Sequence, residues 1–202
     1  MNNIVTNIFF NYSSTSNWIS YVTDIVSSEM NTIFNNINSN INDFNTFGEE
    51  IVKAVSAEPN KLCVGLKIER IKHSVSNSDV IICVKNESNK IIGFTTLKIL
   101  GDSQTLYVDV ICANSDNKGI GSYIMDLVTT IAEKSSLSEI KLDSVTNSVG
   151  FYIKKGFSCD KLCKMKKTVQ GVNSYSYGGS RRKVKGKKSK RNRKIRRRTY
   201  KR

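Results

Sequence analysis

Residues 105–134 read TLYVDVICA, then NSDNK, then GIGSYIMDLVTTIAEK, and few folds can accommodate that order. The first piece alternates and is rich in β-branched residues, which suits a strand. The last piece sets Ile120, Ile124, Leu127, Val128 and Ile131 at helical spacing, so one helix face is apolar. A strand that passes through a glycine turn into an amphipathic helix needs a sheet to lie on, which points to an α/β architecture. Gly119 and Gly121 stand at the mouth of that helix, where each costs about 1 kcal/mol relative to alanine in a helix interior. Bare backbone there serves either a tight turn or a cradle for an anion, because the free amides of Lys118 through Ser122 point out of the helix start and its dipole adds attraction. Both readings stand on these residues alone.

The flanking sequence supplies the rest of the sheet. KLCVGLKIERI and DVIICVK carry strand-forming residues, NESNK is a turn, and KIIGFTTLKIL leads to the strand at 105–113, so a hairpin meander is the simplest arrangement. After the glycine helix, SEIKLDSV reads as a strand, SVGFYIKKGF as a short helix closed by Gly156, and a final strand follows. Before residue 60 the chain is rich in Asn and Ser, with Ile33, Phe34, Ile37, Ile41 and Phe44 at helical spacing, so one or two helices are expected there. This divides the chain into an Asn-rich helical region at 1–60, a core at 61–170 and a tail at 171–202.

Charge separates the tail from the body. Residues 181–202 hold 15 of the 32 Lys and Arg and none of the 17 acidic residues, which leaves 17 basic and 17 acidic groups before them. So dense a run of like charge cannot offset its ordering entropy by burying apolar surface, and it reads as disordered. Such a run can bind nucleic acid through phosphates without regard to sequence, serve as a nuclear or nucleolar address, offer lysines such as Lys185, Lys187 and Lys188 to an active site, or act as a solubilising extension. No run approaches the roughly 20 apolar residues that span a bilayer, so no membrane partner is expected. The start, MNNIVTNIFFNYSS, lacks the basic stretch and cleavage site of a secretory signal. An intracellular location follows as an expectation, and with it five reduced cysteines. Cys159 and Cys163 are four residues apart, but a single histidine, His73, and no second cysteine pair argue against zinc. His73 is expected to be exposed near a strand end, and Cys112 to be a small buried hydrophobe.

Within TLYVDVICA the alternation places Leu106, Val108, Val110 and Cys112 on one face and Tyr107, Asp109 and Ile111 on the other. A carboxylate in so apolar a strand is costly to bury unpaired. Asp109 therefore either faces an open cleft as a general base or pairs with a nearby Lys or Arg.

The order strand, GxG helix, strand, then a helix ending in FYIKKGF resembles the GNAT acyltransferase superfamily over about residues 60–167. NKGIGS stands where that family has its Q/R-x-x-G-x-G/A pyrophosphate motif, and SVGFYIKKGF matches its A-x-x-F-Y-x-x-x-G-F segment with Ser148 in place of Ala. The resemblance implies a mixed, mostly antiparallel sheet flanked by helices, and transfer of acetyl from acetyl-CoA to an amine on a protein lysine, an N-terminus or a small molecule. It further implies a bulge in the strand before the cradle that exposes backbone amides near Ile111 and Cys112 to the thioester carbonyl, and a pyrophosphate cradle formed by Asn117, Lys118, Gly119, Ile120, Gly121 and Ser122. Tyr152 takes the place of the tyrosine that protonates the thiolate, and Asp109 that of a carboxylate base. The Q/R position falls on Asp116, so either Lys118 supplies the positive charge or coenzyme binding is weaker than usual. An inactive GNAT-like protein that binds or packages nucleic acid is the alternative. In style the Asn-rich, proline-poor chain with its basic tail also resembles proteins of large AT-rich DNA viruses, which implies the cytoplasm or nucleus of a host cell, or a virion.

Overall fold

A computed structural model describes residues 4–14, 18–100, 104–160 and 163–169. The elements in chain order are β1 (Val5–Phe10), α1 (Trp18–Glu29), β2 (Asn36–Asn38), α2 (Ile41–Ala57), α3 (Ile68–Ser76), β3 (Val80–Lys85), β4 (Ile91–Leu100) and β5 (Thr105–Ala113). Then come α4 (Ile120–Lys134), β6 (Glu139–Asp143), a 3₁₀ turn (Thr146–Ser148), α5 (Val149–Lys154), β7 (Ser158–Cys159) and β8 (Lys164–Thr168). The strands form one eight-stranded sheet in the order β2-β1-β3-β4-β5-β6-β8-β7. Only the β1–β2 and β5–β6 pairings are parallel among the described strands, so the expected mixed, mostly antiparallel sheet flanked by helices is present.

Alternate strand residues face opposite layers, which is why the core has two parts. Ile82 and Val84 of β3 pack with Val22 and Val26 of α1 and with Ile124 and Val128 of α4 on one face. Ile81 and Cys83 pack with Phe44 and Ile51 of α2 and with Ile71 and Val75 of α3 on the other. The apolar face expected for α4 is buried throughout, from Ile120 to Ile131.

Three expectations are corrected. The first 60 residues are not only helical: β1 enters the sheet between β2 and β3, pairing Val5–Phe10 with Lys85–Val80. Ile8 and Phe10 justify that placement, because both are completely buried there. KLCVGLKIERI is no strand. Cys63 and Gly65 take positive φ values of 63° and 86°, which breaks an extended run, and Ile68, Ile71 and Val75 then follow the helical spacing of α3. His73 is exposed as expected, but in the last turn of α3.

The third correction lies in β5. Its partner register passes from Thr96↔Val110 to Leu97↔Val108, which leaves Asp109 as an extra residue. Such a bulge reverses the alternation beyond it. Leu106 and Val108 face the α1/α4 layer, whereas Val110 and Cys112 face the α2/α3 layer. The expected common face for these four residues is therefore split at Asp109. The basic tail lies outside the described residues.

Candidate active site

β5 and β6 run parallel and pair only from Thr105↔Glu139 to Val108↔Leu142. β6 is paired with β8 on its other edge from Glu139 to Asp143, and beyond Val108 the far half of β5 has no paired strand on the β6 side among the described residues. A cleft opens between them. Across its mouth the Tyr107 hydroxyl donates to Asp143 Oδ2 at 3.1 Å, and burial, with Asp143 adding to it, pushes the Tyr107 phenol up to about 12.

The free edge of β5 presents amides by simple alternation. Asn114 N donates to Ile92 O at 2.8 Å, so Asn114, Cys112 and Val110 direct their amides to β4, while Ile111 and Ala113 direct theirs to the cleft. The Ile111 amide thus faces the cleft, whereas the Cys112 amide turns away and the Cys112 side chain is joined to Cys63 in a disulfide with Cα atoms 4.8 Å apart. Two of the five thiols expected to be reduced are therefore bonded, and Cys83, Cys159 and Cys163 are free. Cys83 is inert by position, since burial pushes its thiol up to about 12.

The glycine turn lies at the end of that edge. Gly119 caps α4 at φ 91°, a conformation open to glycine and disfavoured for other residues, and a Cβ placed there would meet nothing within 4 Å. Space and bare backbone coincide. The amides of Lys118, Gly119, Gly121 and Ser122 donate to no described group, whereas Ile120 N reaches Asn117 O at a long 3.5 Å. Asn117 leaves the expected set, because its amide is used by Asn114 O at 3.0 Å. The Asp116 carboxylate beside the turn does not stand alone. Lys61 Nζ lies 2.7 Å from it, and this bond holds the Asp116 carboxyl below the usual carboxylate range and the Lys61 ammonium above its own.

α5 forms the opposite wall of the cleft. A Cβ on Gly121 would stand 4.0 Å from Phe151 Cζ, so α5 reaches across to the first turn of α4. The next residue, Tyr152, packs edge-on to Phe151 and Phe157, with ring centroids 5.0 and 5.8 Å away. Burial pushes its phenol up to about 12, so it carries its proton across the whole neutral range. Its hydroxyl has no hydrogen-bond partner among the described residues.

Asp109 takes the paired option. The bulge turns its carboxylate toward α3, where Arg70 forms an ion pair with it and Ser74 Oγ donates at 2.5 Å. The network extends from Ser74 Oγ to Thr96 Oγ1 at 2.6 Å, and Thr96 Oγ1 accepts from Val110 N at 3.2 Å. Arg70, Ser74 and Lys61 were not anticipated. The i, i+4 spacing of Arg70 and Ser74 would have shown them on one helical face once α3 was recognised. A groove between α2 and α3, lined by Phe44, Gly48, Val52, Lys72 and Val75, contains none of the expected site residues.

A family model described as an acetyltransferase (GNAT) domain matches residues 49–173, more than half of the chain. No curated protein sequence matches. Among solved structures, Tetrahymena GCN5 is similar with a TM-score of 0.50 at 12% identity, over 84% of this chain and 99% of that one. The ribosomal-protein-S18-alanine N-acetyltransferase from Escherichia coli gives 0.51 at 11% identity, over 63% of this chain and 93% of its own. Nourseothricin acetyltransferase gives 0.41 at 16% identity, and the match spans 65% of that chain.

Proposed function

Because the chain belongs to the acetyltransferase (GNAT) family, we propose that it is an acetyl-CoA-dependent N-acetyltransferase acting on an amine. The observation that carries this reading is the row of unused amides at Lys118, Gly119, Gly121 and Ser122, set at a helix N-terminus where β5 and β6 part. An anion such as pyrophosphate would be held there by backbone and dipole, with the exposed Lys118 adjacent. The balancing of Asp116 by Lys61 removes the electrostatic objection to that site.

Acetyl-CoA supplies the activated acetyl group. The Ile111 amide faces the cleft and would donate to the thioester carbonyl as charge develops on its oxygen. The amine nitrogen forms its bond to the carbonyl carbon as the carbon–sulfur bond breaks. Tyr152 would give its proton to the departing sulfur, a role that suits a phenol kept protonated by burial. For the proton lost by the amine, Asp109 is the proposed acceptor through water, since Arg70 and Ser74 occupy its oxygens directly.

Isothermal titration of the purified chain with acetyl-CoA tests the reading, followed by an acceptor screen read by free thiol release. Binding with thiol release to an amine is expected. No heat at millimolar coenzyme would leave the second reading, an inactive domain whose basic residues 181–202 bind nucleic acid.

A further inference from the structure

Residues 58–67 connect α2 to α3 without regular structure, and three bonds fasten this segment to the end of β5 and the turn beyond it. The Cys63–Cys112 disulfide joins it to the strand. Lys61 O accepts from Ser115 N at 3.0 Å, and Lys61 Nζ pairs with Asp116 at 2.7 Å. The turn that receives these bonds ends at Gly119, and the contacts within it are few. Asn114 anchors one end through Ile92, its Oδ1 accepts from Asp116 N at 2.9 Å, and Asn117 N returns to Asn114 O.

We propose that residues 58–67 form a strut that positions the coenzyme cradle, with Cys63, Cys112, Lys61 and Asp116 as its positioning residues. The proposal rests on reading the Gly119 turn as an acetyl-CoA site. Cys112 lies between Ile111 and Ala113, the two residues whose amides face the cleft, so the crosslink acts on the backbone the thioester would meet. On the other side of the bond, Cys63 sits at φ 63°, where a residue with a Cβ is disfavoured. Leu62 beside it is buried while Val64 is 64% exposed, so the segment has a short hold on the core. Freed from Cys112, Cys63 can leave its left-handed conformation, and the Lys61 contacts two residues away lose their support. A dithiol reductant would do this by giving up two electrons and two protons, leaving thiols on both cysteines and forming its own disulfide.

The test compares the full chain before and after treatment with dithiothreitol, with thiols counted in the unfolded protein. Three thiols are expected before and five after. Acetyl-CoA affinity should fall at least about fivefold on reduction, the low end of ordinary coupling between sites. Hydrogen exchange at amides 114–122 should quicken while that of β3 and β4 stays the same, a split that general destabilisation would not produce. Cys63→Ala should bind as the reduced protein does and ignore dithiothreitol. Lys61→Met should weaken binding and Lys61→Arg restore it. Affinity unchanged within about twofold after reduction, or five thiols at the outset, overturns the strut. If even the untreated chain does not bind acetyl-CoA, the functional reading fails by itself and exchange alone decides: quickening at 114–122 supports the strut, and its absence overturns it.

Discussion

Gly119, Gly121, Tyr152 and Asp109 each carry a separate expectation. At φ 91° Gly119 has no equivalent substitute, so Gly119→Ala should cost about 1 to 2 kcal/mol in a denaturation experiment and weaken acetyl-CoA binding. Gly121 differs. A Cβ there meets only Ala113 Cβ at 3.7 Å and Phe151 Cζ at 4.0 Å, so Gly121→Val should fold, and titration should show weaker coenzyme binding because a side chain now enters the cradle. Tyr152→Phe should lower turnover by roughly 10² to 10⁴, the span for losing a positioned acid, with little change in coenzyme affinity. The same phenol makes a pH prediction. Its value rises from 10.0 to about 12 on folding, so its stabilising share is complete below pH 10 and is lost as pH climbs toward 12. Denaturation midpoints between pH 9 and 12 should therefore fall more steeply in the wild type than in Tyr152→Phe. Asp109→Asn separates two roles for one carboxylate. As a base its loss lowers turnover by roughly 10² to 10⁴ and alters the pH–rate profile. As a mere partner of Arg70 and Ser74 its loss would lower the melting temperature and leave that profile in place.

Among the elements, the best read in advance were those whose local pattern and tertiary burial agree. Ile120, Ile124, Leu127, Val128 and Ile131 repeat at helical spacing and are all buried on α4, and DVIICVK and KIIGFTTLKIL became β3 and β4. The glycine turn and Tyr152 were legible for a different reason, since each falls within a short motif of defined spacing. Misreadings arose where composition and conformation disagree. KLCVGLKIERI is rich in strand formers, yet a disulfide and two left-handed residues bend it before α3 begins. A pairing between Cys63 and Cys112, 49 residues apart, leaves no local trace. A bulge in this strand is implied by the resemblance, but nothing in TLYVDVICA marks Asp109 as the residue that partner register will skip, and hence nothing shows that Cys112 faces α2 and α3. The bulge itself makes a prediction for β5. Deleting Asp109 should leave Val108 and Val110 adjacent in the register they already hold opposite Leu97 and Thr96, so Cys112 should still face α2 and α3 and the Cys63–Cys112 bond should still form, which a thiol count of the variant would show.

For the whole molecule, charge and connectivity set the behaviour. The balance of 17 basic and 17 acidic groups before residue 181 leaves the entire net charge of +15 to residues 181–202. Full-length protein should therefore bind DNA or RNA without sequence preference at low salt and release most of it near physiological salt. A chain ending at Gly179 should keep acetyl transfer to a small amine and lose nucleic-acid binding. Equal DNA binding by that shorter chain would move the interface to the folded body. The position of β1 has a consequence of another kind, which concerns the making of the chain. Val5 finds Lys85 across about 80 residues of intervening sequence. At about 5 to 20 residues per second, the ribosome needs roughly 4 to 16 s to make the strand that covers it. During that wait β2 can offer only a three-residue parallel partner, and a two-stranded pair is marginal in water. Ile8 and Phe10, wholly buried at the end, are bare at the start. The asparagines around them, Asn7 and Asn11, then act as polar guards on a nascent segment that would otherwise invite a neighbour's strand.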